Sequence, residues 1–144
     1  MFLTRLFSTS KRAVLTLIIL SIFTACTIKP ESQQLRITNS GDTDITGLVV
    51  IFPAGYGWDA GTSRIEFGDI PAGQTSEYQN VSSGVYRYAA YDYVLDGREV
   101  GQAVMDWVGE EPMAGKKITY QIALDLNKVV GGQISLITVS VDEP

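Results

Sequence analysis

The sequence predicts an all-β domain, a two-layer antiparallel sandwich of about eight strands. Three observations carry that expectation. Beyond Leu35 the apolar residues recur with period two, and no helical period is sustained. Turn-forming clusters such as "NSGDTD" (39–44), "PAG" (71–73) and "DG" (96–97) punctuate the chain at short intervals. Runs such as "ITGLVVIF" and "KITYQIALDL" are rich in β-branched and aromatic residues.

Taken in order, the strands justify themselves locally. "LRIT" (35–38) alternates Leu35 and Ile37 with Arg36 and Thr38. "ITGLVVIF" (45–52) is continuously apolar, as suits a strand covered on both faces. The loop "PAGYGWDAGTS" (53–63) leads to "RIEFGDI" (64–70), then a Pro-Ala-Gly turn and "TSEYQNV" (75–81). "SSG" introduces a long strand, "VYRYAAYDYVL" (85–95). Asp96-Gly97 is a strong short hairpin signal, and "REVGQAVMDWV" (98–108) returns from it. After "GEEPMAGK" come "KITYQIALDL" (117–126) and "ISLITVSV" (134–141). The cadence "AGQTSEYQNVSSGVYRYAAYDY…DG" resembles immunoglobulin-like and transthyretin-like domains in architecture. The Cys-Trp-Cys spacing of true immunoglobulin domains is missing.

Residues 1–26 are of another kind. Arg5, Lys11 and Arg12 form a basic start with no acid, and "AVLTLIILSIF" (13–23) is an apolar, helix-forming run. Thr24 and Ala25 are small, as a cleavage site requires. The charge-free stretch from Ala13 to Ile28 is 16 residues long, short of the roughly 20 that a spanning helix wants. Phe23-Thr24-Ala25-Cys26 resembles the lipobox of bacterial lipoproteins, although that family prefers Leu, Val or Ile where Phe23 stands. The resemblance implies cleavage after Ala25, a diacylglycerol thioether on Cys26 and acylation, palmitate for example, of the new amino group. Two or more acyl chains anchor stably. It further implies a cell-envelope protein held to the membrane by lipid. With Thr27 rather than Asp in second position, it implies the outer membrane of a Gram-negative cell. The expected organisation is a signal peptide with its helix over 1–25, the lipidated cysteine and a linker over 26–34, and the sandwich over 35–144.

Composition narrows the function. The chain has no histidine and a single cysteine, so nucleophile–histidine chemistry has no partner residue and no disulfide forms within one chain. Beyond residue 26, eight bases face sixteen acids, leaving −8. Such a body repels phosphate backbones, so nucleic acid is not an expected partner. No nucleophile elbow, phosphate loop or zinc spacing occurs. Neither a cofactor nor a metal is expected: Asn39, Asp42 and Asp44 lack the EF-hand spacing and closing Glu, and a tight Asx-type turn accounts for them.

Aromatic residues are the candidate binding groups. In a regular strand Tyr86 and Tyr88 share one face and Tyr91 and Tyr93 the other. The first pair is either a stacking platform for sugars or peptides or ordinary cross-strand packing with wet hydroxyls, and strand propensity favours packing. Tyr56 and Trp58, among glycines in "GYGWDAG", suit an exposed aromatic pair. Trp107 in "DWVGEEP" either joins them in binding or plugs one end of the sandwich. The reading that results is a non-catalytic envelope lipoprotein that binds protein or glycan. Its alternatives are a small carbohydrate-active enzyme working through carboxylates such as Asp106 and Glu110, and a secreted solute-binding domain.

Overall fold

The computed structural model describes residues 32–54, 61–104, 110–128 and 132–144. The expected signal helix, Ala25, Cys26, Tyr56, Trp58, Asp106 and Trp107 lie outside them. The described chain is all-β: β1 (Gln33–Asn39), β2 (Ile45–Pro53), β3 (Thr62–Ile70), β4 (Gln79–Val81), β5 (Ala90–Leu95), β6 (Arg98–Gln102), β7 (Lys117–Leu124) and β8 (Ile134–Glu143). They form two four-stranded sheets, with orders β4-β1-β7-β8 and β3-β2-β5-β6.

Period-two patterning decides what faces inward. Leu35 and Ile37 of β1 and Ile118, Tyr120 and Ile122 of β7 are fully buried, and they meet Leu48, Val50 and Phe52 of β2. The Phe52 ring sits 6.1 Å from Tyr120, edge-on at 88°, and 6.1 Å from Tyr86, a geometry that favours the aromatic quadrupoles. On β2 the continuous apolar run also leaves Ile51, which points away from this core, only 8% exposed.

The hairpin joining β5 and β6 turns on Asp96 (φ 51°) and Gly97 (φ 72°) with Leu95 opposite Arg98. Two positive φ values match the right-handed twist of the flanking strands, and a glycine bears one of them without strain. Within β2, the pairing with both neighbours shifts register around Gly47 (φ 60°). The Gly47 N–H turns out of the ladder and donates to Asp69 Oδ1 at 2.8 Å, as in a β-bulge.

Three differences from the expected strands stand out. β1 and β7 run parallel, although every other pair is antiparallel. Five strands separate them in the chain, so no tight hairpin dictates their direction. β4 spans only three residues, because 75–78 meets β1 through an isolated bridge at Thr38–Thr75, where Ser76 N–H donates to Ile37 O and the Ser76 hydroxyl, in place of a carbonyl, accepts from Ile37 N–H. β5 begins at Ala90, five residues later than the tyrosine run suggests.

Candidate functional site

The shortened β5 changes the tyrosine platform. At Val85 the backbone bonds to groups other than a strand: Met113 N–H donates to Val85 O at 2.7 Å, and Val85 N–H donates to Gln33 Oε1 at 2.6 Å. Off the strand, alternation no longer applies. Tyr86 turns into the core at 2% exposure, whereas Tyr88 stays 38% exposed with the Arg87 guanidinium 5.8 Å from its ring centre. Tyr86 and Tyr88 therefore make no shared stacking surface. Tyr91 and Tyr93 do share a face, the buried one.

Sheet chemistry concentrates on two outer faces. On the face of β1, β7 and β8, Asp142 accepts hydrogen bonds from the Thr119 hydroxyl, from Tyr78 (2.8 Å) and from Ser140 (3.2 Å). Arg36 Nε donates to Thr119 Oγ1 at 2.8 Å, its guanidinium lies 3.8 Å from Asp142 Oδ2, and it stacks 4.8 Å from the Tyr78 ring centre. Partial burial pushes the Asp142 carboxyl up, but the Thr119 and Tyr78 hydroxyls and Arg36 outweigh it and hold the group below its ordinary value. The Tyr78 phenol is raised, by burial first and then by its bond to Asp142. Lys117 pairs with Glu143 at 3.1 Å. Beside them a shallow hollow of about 320 Å³ opens at Ser32, Gln34 and Asn80.

On the outer face of the other sheet lies a trough of about 360 Å³, lined by Gly47, Val49, Arg64, Asp92, Glu99 and Gly101 among others. Asp92 stands opposite Gly101, and a Cβ there would come 3.2 Å from its carboxylate. The glycines leave the floor low, and Arg64 bridges over it to Asp92 at 2.7 Å. A neutralised Arg64–Asp92 ion pair and a lining more polar than apolar suit an extended polar chain better than a compact charged ligand. Sequence reasoning passed over this trough. Its one sequence signal is a glycine inside each of two strands, where close approach or a bulge is the usual cause.

Inside the sandwich, burial raises the phenols of Tyr91 and Tyr120, the latter further through Tyr91 and Glu110. Burial also raises Tyr93, partly offset by the Gln133 backbone, and its hydroxyl donates to Gln133 Oε1 at 3.2 Å. The Tyr120 hydroxyl and Glu110 Oε2 are buried without hydrogen-bond partners. Among the described residues no group of three acidic, cysteine or histidine side chains is placed to hold a metal ion. "NSGDTD" is organised by its own backbone. Asn39 Nδ2 donates to Thr43 O (2.9 Å) and Ile70 O (3.0 Å), Gly41 N–H donates to Asn39 Oδ1 (3.1 Å), and Asp44 accepts from Ala72 N–H (2.8 Å).

No family model matches the chain, and no curated protein matches it. Among solved structures it is similar to the NMR structure of a protein from Eubacterium rectale, at 11% identity and a TM-score of 0.42, covering 81% of this chain and 94% of that one.

Proposed function

We propose that this chain is a lipid-anchored envelope protein whose β-sandwich serves a binding or structural role without catalysis. The observation that carries the reading is Cys26. It is the sole cysteine, set directly after a small residue at the end of a basic-then-apolar segment. From Cys26 to Gln33, where β1 begins, seven residues reach at most about 25 Å, so the sandwich rides close to the lipid surface. The acids Asp142, Glu143 and Asp92 are engaged by cations on their own sheets, which fits binding or support better than general acid–base work. In this reading the trough over Val49 and Asp92 receives an extended glycan or peptide of the envelope.

Intact mass of the protein extracted from membranes tests it. The expected species begins at residue 26 and carries acyl chains, and Cys26→Ser leaves an unacylated protein that no longer fractionates with membranes. A full-length, unmodified chain in the cytosol overturns the proposal.

A further inference from the structure

Three of the four sheet edges are protected by brevity or charge. β4 has three residues, β6 has five with Arg98 and Glu99 among them, and β3 carries Arg64, Glu66 and Asp69. β8 is different. It is ten residues long, lies at the edge of its sheet, and has no charged residue from Ile134 to Val141. Of the four large apolar side chains that stand exposed among the described residues, Ile137 (58%) and Val141 (44%) are on β8 and Leu126 (51%) lies just before it. An uncharged, β-branched edge that pairs with no further strand among the described residues is a template for another strand.

We infer that β8 pairs antiparallel with β8 of a second copy of this chain, about a two-fold axis between Ile137 and Thr138. The register follows from the faces. Leu136 and Val139 both pack towards the core, while Ser135 and Ser140 stand opposite Ala123 and Thr119 on the outer face. The alternation is reset by a register shift at Ile137. A two-fold through that shift sets Leu136 against Val139 of the second copy and Ser135 against its Ser140, apolar on apolar and hydroxyl on hydroxyl. A slip by one residue would set core-facing side chains against outward ones.

Gln102 marks where the open edge begins. Its Nε2 donates to Ile134 O at 2.7 Å and its Oε1 accepts from Ile134 N–H at 2.9 Å, so the first edge position is already filled. At the far end Asp142 and Glu143 fall outside the paired segment and are neutralised on their own sheet by Arg36 and Lys117, so the axis brings no like charges together. An isologous pair closes at two copies. The inference is independent of the lipid anchor and survives its failure.

Sedimentation of the full chain in detergent micelles, over a range of about 1–500 µM for a weak interface, tests it. The expected result is a reversible monomer–dimer equilibrium with no larger species. It should strengthen with salt, because two acidic bodies repel. Thr138→Lys, at an exposed position, should weaken the dimer at least about tenfold, whereas Ser63→Lys on the β3 edge leaves it unchanged. Hydrogen exchange at Leu136–Val139 should slow as concentration rises, a readout that does not depend on either variant. A chain that stays monomeric throughout, a dimer indifferent to Thr138→Lys, open-ended polymers, or a monomer whose β8 instead takes up an added peptide of sequence ISLITVSV would each overturn the inference.

Discussion

Asn39 is the side chain whose loss should be felt most for its size. It is fully buried at the end of β1, and its amide makes three hydrogen bonds, to Thr43 O, Ile70 O and Gly41 N–H. At about 1 kcal/mol net each, with the partners left in place and under-satisfied, Asn39→Ala should cost about 3 kcal/mol. That is a large part of the roughly 5–15 kcal/mol of a domain this size. Urea unfolding followed by tryptophan fluorescence should show a midpoint lower by about 1.5 M at a slope of about 2 kcal/mol/M. Asn39→Asp sharpens the test, since it keeps the shape but replaces the amide donor with acceptors that face two carbonyl oxygens. Its carboxyl is then raised above the unfolded value of about 3.9. The folded state therefore binds its proton at higher pH than the unfolded state. The penalty is full above the folded pKa and is relieved as pH falls towards the unfolded one. A loss under about 1 kcal/mol for alanine, or an aspartate variant indifferent to pH, would show that these bonds are replaced by water and that the reasoning is wrong.

Four further outcomes are expected. Tyr120→Phe removes a buried hydroxyl that has no partner, so thermal unfolding should show unchanged or slightly higher stability, against the usual cost of altering a core residue. Gln102→Ala breaks two bonds to Ile134 and should cost about 1–2 kcal/mol, with faster exchange of the Ile134 amide. Gly84→Ala places a methyl 2.8 Å from Pro112 Cβ at a φ of 89°, and chemical denaturation should register a loss of about 1–3 kcal/mol. Because the Asp142 carboxyl is held below its ordinary value, its contribution is present above the unfolded pKa and lost as pH falls through the folded one. Asp142→Asn should therefore narrow the stability difference between neutral and acid pH, read from unfolding at each.

The strands were legible wherever a single face is buried. β1 and β7 alternate so regularly that their core residues can be read off, and Asp96-Gly97 announces its hairpin by chemistry alone. Tyr86 to Ala89 misled because β-propensity records a fit to a pleated surface, whereas Val85, at the head of this segment, gives its N–H to Gln33 and its C=O to Met113 rather than to a neighbouring strand. The parallel alignment of β1 with β7 is a property of the whole topology and has no local signal. The trough beside Asp92 depends on which glycine stands opposite which carboxylate, and that register emerges only when both strands are placed.

The least legible feature is what ties the two sheets together. The chain passes between sheets four times, after β1, β3, β4 and β6. Here side-chain amides bond backbone at each of them. Asn39 joins the exit of β1 to Ile70 at the exit of β3. Gln33 takes Val85 N–H on the way into β5 and donates to Met113 O (2.6 Å) and Gly115 O (2.7 Å) on the way into β7, while Gln102 leaves β6 bonded to Ile134 on the opposite sheet. An amide offers one donor group and one acceptor in the spacing of a peptide unit, so each behaves as a strand residue supplied from the side. In sequence, Asn and Gln look like solvated surface. Loss of any one amide should therefore open the connections it bonds, two each for Asn39 and Gln33 and one for Gln102, seen as faster hydrogen exchange confined to them, before the sandwich as a whole unfolds.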